Sequence, residues 1–393
     1  MPAIFDGIRV LDFTSMISGP ATTLILADQG ADVIKVETPG VGDHTRLVST
    51  RSGGLSASFL NNNRNKRSVT LNLKDPRGLD AARKLAETSD VVVQNFRPGV
   101  ADRLGIGPEA LRAINPRLIY LSIAGFGFDG PYAQKPTYDP LVQALSGLTT
   151  VQAGSDKDRP RLVRTILPDK LTGVAASQAI TAALFHRERS GEGQAITVSM
   201  LDTVLAFLWG SDMGGHTFVG QERAEEKSQS FIDLIYETAD GYISVAVQSD
   251  KEWSNLCDAF ADESLRSDPR FATAQLRGQN IDARLEETQA RLLTKPAAEW
   301  LTILEAHDVP CAPVLTRKEV VRHAQIAAND SLMQYDHPIA GPLRQARPAP
   351  RFSATPTEVR LGAPGLGEHT DEVLTEIGLS QDTIAAMKAE GAA

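Results

Sequence analysis

Two short segments combine cations with side-chain amides in a way that suits a phosphorylated ligand. Residues 61–67 read Asn-Asn-Asn-Arg-Asn-Lys-Arg and precede an apolar run at 69–73. The segment Asn95-Phe-Arg97 follows three valines at 91–93, and Arg103 comes shortly after. Cations and amides bind phosphate oxygens, and a ring between them can stack on a base. The pattern leaves two interpretations open, a ligand site or two solvated loops.

Asp169 is the acidic residue whose position suggests most chemistry. It follows the apolar run Thr165-Ile-Leu-Pro168, which we predict as a strand, and precedes a helix predicted over 170–189. An aspartate at the start of a helix is a common N-terminal cap that contributes ~1 kcal/mol. The local pattern alone therefore favours a helix cap over a catalytic carboxylate.

Motifs for other chemistries are missing or lack their context. The glycines of Gly125-Phe-Gly127-Phe-Asp-Gly130 have the spacing of a dinucleotide-binding loop, but Pro131 follows where a helix should begin. The chain contains no nucleophile elbow, phosphate-binding loop or zinc-protease motif. Cys257 and Cys311 lie in apolar segments and favour a place in the core. We therefore expect neither a nicotinamide cofactor nor a metal site.

Alternating strands and helices supply the frame for these residues. Apolar runs predict strands at 8–13, 33–36, 69–73, 91–93, 118–123 and 195–199. Helices are predicted between them at 21–29, 76–88, 108–114 and 170–189. This alternation predicts a mostly parallel sheet covered by helices on both faces. Ligands bind beyond the carboxyl ends of such strands, and the Asn95-Phe-Arg97 segment lies there.

The pattern changes after about residue 215. The stretch at 222–229 is charged, and residues 232–247 look like a hairpin with its turn near 239–241. We predict a large domain over 1–200, a linker over 201–225, a small α+β domain over 226–320, a second linker over 321–345 and a returning C-terminal part of the large domain over 346–393.

Composition restricts the class of protein. The chain has 393 residues, with 40 Lys plus Arg against 49 Asp plus Glu, a net charge of −9. The acidic balance argues against nucleic acid as a main partner. No apolar run approaches the ~20 residues that cross a bilayer, and no signal peptide is visible. With only 2 cysteines, we expect a reducing, cytoplasmic setting and no membrane partner.

Several segments together resemble the family III CoA-transferases, also called the CaiB/BaiF family. The motifs that carry the resemblance are Gly7-Ile-Arg-Val-Leu-Asp-Phe, Gly19-Pro20, Gly30-Ala-Asp-Val-Ile-Lys-Val-Glu37, Asn65-Lys-Arg67-Ser, Leu71-Asn-Leu-Lys74, Asn95-Phe-Arg-Pro-Gly99, Pro168-Asp169, Gly191-Glu-Gly-Gln194 and Leu366-Gly-Glu-His-Thr-Asp371. They occur in order over nearly the whole chain, which makes the combination specific.

The resemblance implies an α/β fold in which a Rossmann-like parallel sheet forms a large domain, a small α+β domain is attached, and two chains interlock as a homodimer. It implies that CoA moves from an acyl-CoA, such as succinyl-CoA or acetyl-CoA, to a free carboxylic acid through an aspartyl anhydride and an aspartyl-CoA thioester. CoA is then a substrate, and no cofactor is bound permanently.

The resemblance also assigns roles to individual residues. Asp169 falls on the catalytic aspartate of the family. The positions that contact CoA fall on Met16, Leu71, Lys74, Asn95, Phe96, Arg97 and Arg103.

Three features depart from the oxalate-type members of the family. Those members carry Gln where this chain has Ile17, and a basic residue where it has Thr38. They also carry a run of glycines where residues 226–230 here are Glu-Lys-Ser-Gln-Ser. These departures argue against formyl-CoA:oxalate transfer and leave the acceptor acid open.

Two alternative functions are compatible with the same fold. The first is an α-methylacyl-CoA racemase, and the second is a non-catalytic acyl-CoA-binding protein. The racemases pair the shared aspartate with a histidine at the position of Tyr138, in Thr137-Tyr-Asp-Pro140. Because racemisation needs two bases, Tyr138 favours the transferase. A covalent adduct at Asp169 is expected for the transferase alone.

Overall fold

The computed structural model describes residues 2–48, 50–223 and 233–393. The departure at 226–230, most of the charged stretch at 222–229 and the predicted boundary between 225 and 226 lie outside the described residues. The chain divides into two compact units. Unit 1 comprises Met1–Thr149, Leu162–Gln221 and Asp330–Ala393, and unit 2 comprises Thr150–Arg161 and Glu222–Asn329.

The described residues form the following elements. The strands are β1 (Arg9–Asp12), β2 (Asp32–Glu37), β3 (Arg51–Ser52), β4 (Leu55–Ser56), β5 (Lys66–Thr70), β6 (Val91–Gln94), β7 (Ile119–Ala124), β8 (Ala195–Ser199), β9 (Ile235–Glu237), β10 (Tyr242–Val245), β11 (Cys311–Pro313), β12 (Leu332–His337) and β13 (Gly341–Ala346). The helices are α1 (Ser18–Asp28), α2 (Ala57–Asn63), α3 (Pro76–Glu87), α4 (Val100–Arg103), α5 (Pro108–Ile114), α6 (Asp139–Leu145), α7 (Leu148–Ala153), α8 (Leu167–Ser190), α9 (Met200–Trp209), α10 (Asp250–Phe260), α11 (Glu263–Arg266), α12 (Ala274–Gln279), α13 (Ile281–Leu292), α14 (Ala297–Ala306), α15 (Arg317–Val320), α16 (Ala324–Ala328), α17 (Thr370–Glu376) and α18 (Gln381–Ala389). Short 3₁₀ helices cover His44–Leu47, Gly214–His216 and Pro269–Phe271.

Unit 1 is built around a six-stranded sheet in the order β5-β2-β1-β6-β7-β8. Each neighbouring pair of strands is parallel. The predicted α/β fold with a large parallel sheet is therefore confirmed. The strand order changes direction between β1 and β6, so the carboxyl ends of these two strands open a crevice where ligands bind in such sheets.

Helices cover both faces of this sheet, which explains why its central strands β6 and β7 are largely apolar. On one face, Leu11 of β1 belongs to a buried cluster with Leu85 of α3 and Val373 of α17. On the other face, Val10 of β1 belongs to a cluster with Ile180 of α8. Alternate residues of one strand thus support opposite layers.

The C-terminal part of the chain completes one of these faces. Residues of α17 and α18 join the same buried cluster as Leu11. The backbone N–H of His369 donates to the carbonyl of Ser68 in β5 at 2.9 Å. The sequence predicted that the large domain resumes at residue 346, after a linker over 321–345. In the structure unit 1 resumes at Asp330, and the antiparallel pair β12–β13 lies largely within the predicted linker.

Unit 2 contains a three-stranded antiparallel sheet in the order β11-β10-β9. The pairing of β9 with β10 confirms the predicted hairpin. The core of unit 2 includes Trp253, whose ring lies edge-on to Phe271 with 5.4 Å between centroids. The sequence placed the small domain over 226–320, whereas unit 2 runs from Glu222 to Asn329 and includes residues 150–161.

Two local predictions were wrong. Lys66 and Arg67 of the basic segment 61–67 lie in strand β5 and are buried, so this segment is neither a ligand loop nor a solvated one. Residues 165–168 do not form a strand, because α8 begins at Leu167 and takes up Pro168 in its first turn, where proline is favoured.

The segment 201–225, which the sequence predicted as a linker, contains most of helix α9. Within the described ranges, no helix is both long enough and apolar enough to cross a membrane.

Candidate active site

A cavity of about 310 Å³ lies at the crevice between β1 and β6. Its walls come from the segments that follow β1, β6 and β7 and from the first turns of α1, α6, α8 and α9. The lining residues are Ser15, Met16, Ser18, Asn95, Phe96, Arg97, Pro98, Ile123, Ala124, Gly125, Ala133, Lys135, Pro136, Thr137, Tyr138, Asp139, Asp169 and Met200.

The structure brings most of the predicted site residues together in this cavity. Its walls include Met16, Asn95, Phe96, Arg97 and Asp169. These residues come from three separate parts of the chain, and the parallel sheet is what places them side by side.

Three predicted CoA contacts lie outside the walls of the cavity. Leu71 is a core residue with 1% of its surface exposed, so it could offer a ligand little beyond its backbone. Lys74 is exposed in the segment after β5. Arg103 is exposed at the end of α4, and its guanidinium stands close to Gly99, at the end of the loop after β6.

Asn95 joins the two loops that form the crevice. Its side-chain oxygen accepts the backbone N–H of Ser15 at 3.0 Å, and its amide nitrogen donates to the carbonyl of Ser15 at 2.8 Å. The amide therefore closes on the backbone of Ser15 with both of its polar ends. The loop after β6 and the loop after β1 are held in one arrangement as a result.

Met16 occupies a strained backbone position beside the cavity. Its φ is 70°, in the left-handed region that non-glycine residues seldom adopt. Its N–H donates to Asp43 Oδ1 at 3.2 Å. Lys35 Nζ lies 2.9 Å from the other oxygen of Asp43 and donates to the carbonyl of Thr14 at 2.8 Å. The buried Lys35–Asp43 ion pair thus supports the loop that places Met16.

A second buried ion pair lies close to the first. Lys66 Nζ is 3.1 Å from Asp12 Oδ2, and both side chains are fully buried. Burial lowers the pKa of Lys66 to about 8, although Asp12 opposes this effect. Burial would raise the pKa of Asp12, but Lys66 and Lys35 outweigh it and hold that pKa well below its usual range. Because Asp12 also accepts the N–H and hydroxyl of Thr14, the pair supports the same loop.

Asp169 lies in the first turn of α8 and does not cap it. Ile166, which has no polar side chain, occupies the N-cap position. The N–H of Asp169 donates instead to Asp139 Oδ2 of α6 at 3.2 Å. The carboxyl group of Asp169 lines the cavity and faces the hydroxyl and the backbone N–H of Ser18. The helix-cap interpretation is therefore wrong.

The surroundings of Asp169 raise its pKa to about 6. Burial is the main cause of this rise, the negative charge of Asp139 is the second, and the polar hydrogens of Ser18 act in the opposite direction. At pH 7 most of the carboxyl groups are still ionised, so the group combines charge with raised basicity. A partly buried, basic carboxylate in a cavity is suited to attack a carbonyl carbon.

Two cations line the cavity wall, Arg97 and Lys135. Lys135 also stands over the ring of Tyr132, with Nζ 3.2 Å from the centroid. Phe96 adds a flat apolar surface beside Arg97. A phosphorylated ligand with an apolar arm would find both kinds of contact here.

The loop after β7 is irregular, as its prolines predicted. Gly125 packs so closely on Thr137 that a Cβ at this glycine would lie 2.3 Å from the threonine side chain. Helix α6 begins at Asp139, well after Gly130, so the glycine motif lacks the helix that a dinucleotide-binding loop requires. Tyr138 lines the cavity and is 67% exposed.

Ser18, Lys135 and Asp139 are site residues that sequence reasoning missed. Ser18 and Asp139 contact Asp169 across gaps of about 150 and 30 residues, which no local pattern reveals. Lys135 follows strand β7, and the rule that ligands bind beyond the carboxyl ends of strands could have pointed to it.

Comparison with known proteins decides the family. Residues 5–370 match the model of CoA-transferase family III. The chain belongs to this family. The resemblance drawn from the motifs is confirmed, and so is the expectation of an enzyme that transfers CoA. Enzymes of this family use CoA thioesters as substrates.

Individual relatives cover nearly the full chain. It is 34% identical to succinyl-CoA:glutarate CoA-transferase of Mus musculus, over 95% of this chain and 86% of the relative. It is also 34% identical to formyl-CoA:oxalate CoA-transferase of Rhodopseudomonas palustris, over 100% of this chain and 98% of the relative. A crystallised CaiB/BaiF family protein of Brucella suis superposes with a TM-score of 0.84 at 30% identity, over 96% of this chain and 100% of that one. Because the chain is equally identical to these two differently named transferases, the identities do not indicate which substrate it uses.

Proposed function

We propose that this chain transfers CoA from an acyl-CoA, such as succinyl-CoA or acetyl-CoA, to a free carboxylic acid, with Asp169 as the nucleophile. The observation that carries the proposal is the basic, partly buried Asp169 carboxylate in the cavity formed by the loops after β1 and β6. Membership of the family supplies the reaction class, and the geometry supplies the candidate nucleophile.

The first half of the reaction uses the donor. A carboxylate oxygen of Asp169 attacks the thioester carbonyl, the C–S bond breaks, and CoA leaves as the thiolate. The thiolate then attacks the Asp169 carbonyl of the mixed anhydride. The donor acid leaves as a carboxylate, and an aspartyl-CoA thioester remains. Each step exchanges one anion for another, so no net proton transfer is needed.

The second half repeats these steps in reverse order with the acceptor. The acceptor carboxylate attacks the aspartyl-CoA thioester and displaces CoA thiolate, which leaves an anhydride between Asp169 and the acceptor. The thiolate attacks the acceptor carbonyl, and the new acyl-CoA and the free Asp169 carboxylate result. Water would hydrolyse the anhydride, so the site must exclude it.

We propose that CoA is held along the carboxyl edge of the sheet. Arg97 and Lys135 line the cavity, Lys74 follows β5, and Arg103 lies at the end of α4 after β6. Cations at these places suit the phosphates of CoA in a chain whose net charge is −9. Asn95 and Phe96 would lie along the ligand, together with Met16 and the backbone near Leu71.

We propose that oxalate is a poor acceptor. Ile17 stands between Met16 and Ser18 and has no hydrogen-bonding side chain, whereas the oxalate-type members carry an amide at that position. Tyr138, at the position where racemases carry a histidine, is two-thirds exposed and carries a phenol in place of the imidazole that the racemases use as a second base. The racemase is therefore the weaker candidate.

We also propose a cytoplasmic homodimer in which two chains interlock. The support from unit 1 is a set of large exposed apolar side chains on α8 and α9: Val174, Phe185, Phe207 and Trp209 are 58%, 65%, 50% and 49% exposed. Such residues are costly to leave in water, and a second copy of the chain would cover them.

The test is a screen of CoA thioesters against mono- and dicarboxylic acids, with the CoA product identified by its mass. We expect transfer with at least one pair, and a covalent aspartyl-CoA adduct at Asp169 when the acceptor is left out. Asp169→Asn should lose turnover by several orders of magnitude, with its mass checked for deamidation, while Asp382→Asn on α18 should behave as wild type. Exchange of the α-proton of an acyl-CoA without transfer would instead indicate a racemase.

A further inference from the structure

Two buried polar residues of α6 stand directly behind Asp169. Asp139 and Gln143 are one helical turn apart, and only 3% and 2% of their surfaces are exposed. Gln143 Nε2 donates to Asp139 Oδ1 at 2.7 Å. The other oxygen, Asp139 Oδ2, accepts the backbone N–H of Asp169 at 3.2 Å. Each oxygen of the Asp139 carboxylate therefore has its own partner.

Gln143 also binds the irregular segment that leads into α8. Its side-chain oxygen accepts the N–H of Val163 at 3.0 Å. Its Nε2 donates to the carbonyl of Thr165 at 3.2 Å and approaches that of Val163 at 3.4 Å. One amide thus holds both ends of the segment 163–165, four residues before Asp169. Buried amides with this many partners fix local geometry strongly.

Asp139 caps α8 from another helix. The N-cap residue Ile166 cannot accept a hydrogen bond through its side chain, and Asp139 accepts one of the free N–H groups of the first turn instead. A negative charge near a helix N-terminus is favourable. The same charge lies beside the carboxyl group of Asp169, where like charge favours the protonated form.

We propose that Asp139, braced by Gln143, is a positioning residue that holds the backbone of Asp169 and places a negative charge beside its carboxyl group. The proposal rests on the proposed function, because it assigns a purpose to the basicity of the nucleophile. The contact between Asp139 and Asp169 joins the segment Thr137-Tyr-Asp-Pro140 to the candidate nucleophile.

Besides Asp139, several other groups face Asp169 and can influence its pKa. The hydroxyl and the backbone N–H of Ser18 of α1 face the carboxyl group of Asp169 and lower its pKa. Arg97, Lys135 and Tyr138 lie on the cavity wall and carry the remaining titratable groups there. The end of β7 and the start of α9 contribute apolar side chains, Ile123, Ala124 and Met200.

The test is the pH dependence of kcat/KM in Asp139→Asn. Asparagine keeps the shape and one acceptor oxygen but removes the charge. We expect the acid limb, with its midpoint near pH 6 in wild type, to move down by about one pH unit, so that activity at pH 5 relative to the plateau rises about fivefold. The plateau kcat should fall, since a less basic carboxylate is a weaker nucleophile. An unchanged midpoint would overturn the proposal, because a purely structural role lowers the plateau alone.

Gln143→Met provides a second variant that keeps the charge of Asp139. It removes the amide that holds the segment 163–165, and we expect kcat to fall about tenfold while KM for acyl-CoA changes less than twofold. Loss of binding together with turnover would contradict a positioning role. Asp382→Asn, the same substitution as Asp139→Asn in the exposed first turn of α18, is the control.

A double-mutant cycle tests the Asp139–Asp169 contact without any turnover. Replacing Asp169 by Asn should raise the thermal unfolding midpoint at pH 8 in wild type and raise it by less when Asp139 is already Asn. Equal effects in both backgrounds would overturn the proposal. If the wild-type protein transfers no CoA, the proposed function is wrong. The double-mutant cycle can still be interpreted in that case, because it measures unfolding and not turnover.

Discussion

Asp169→Asn should make the protein more stable at pH 8 while it removes activity. In the folded protein the pKa of Asp169 rises from 3.8 to about 6. A folded-state pKa above the unfolded one contributes stability that is fully present below pH 3.8 and lost as the pH rises through 6. At pH 8 the ionised group therefore costs the folded state about 3 kcal/mol, and solvent screening of the partly exposed carboxyl reduces this to about 1–3 kcal/mol. A neutral asparagine does not have this cost.

Differential scanning calorimetry at pH 8 and pH 4.5 measures this effect. We expect the unfolding transition of unit 1 to rise by roughly 2–6 °C at pH 8 in Asp169→Asn, and the gain to shrink at pH 4.5, where wild-type Asp169 is mostly protonated. Asp382→Asn should give no such pH-dependent difference. A destabilisation of ~1 kcal/mol at both pH values is what loss of a helix cap predicts, and it would refute the reasoning. Gains of this kind are typical where a site is arranged for chemistry at the expense of stability.

Further predictions concern the ligand, the loop below it and the assembly. Arg103→Ala should raise KM for acyl-CoA roughly tenfold, since a hydrogen bond to a charged group contributes ~1.5–3 kcal/mol. The control Arg322→Ala should leave KM unchanged. An unchanged KM in Arg103→Ala would mean that Arg103 does not contact CoA. Lys35→Met should destabilise unit 1 by about 3–5 kcal/mol, because it leaves the Asp43 carboxylate buried without its cation. The double variant Lys35→Met/Asp43→Asn should recover part of the lost free energy of unfolding, measured in urea. No recovery would contradict the Lys35–Asp43 ion pair. An interlocked dimer should keep twice the mass of the 42.3 kDa chain at nanomolar concentration in mass photometry, and an active monomer there would exclude it.

The sheet could be predicted from the sequence because its signals are local. Strands such as β6 and β7 are largely apolar runs, and burial on both faces is sufficient to explain them. The Asn95 segment was predicted for a similar reason, since a polar segment after a strand lies at the ligand edge of a parallel sheet. The structure places Asn95, Phe96 and Arg97 in the cavity wall.

The basic segment at 61–67 could not be interpreted locally, because its partners are distant in sequence. Arg64 pairs with Asp28 at 2.6 Å, and Lys66 pairs with Asp12 across 54 residues. Buried cations of this kind look the same in a sequence as solvated ones. The setting of Asp169 was hidden for the same reason, because Ser18 and Asp139 approach it only after the chain has folded.

The C-terminal part of the chain has a consequence for how the protein is synthesised. Strand β8 ends at Ser199, so every strand of the large sheet has been translated when barely half of the chain exists. Apolar residues on one face of that sheet find part of their cover only in α17 and α18, which begin at Thr370 and Gln381. At ~5–20 residues per second, a ribosome needs about 10–40 s to translate the intervening residues. For that interval the nascent chain carries an incompletely covered, sticky surface, so slower translation or a shortage of chaperones should reduce the yield of folded enzyme.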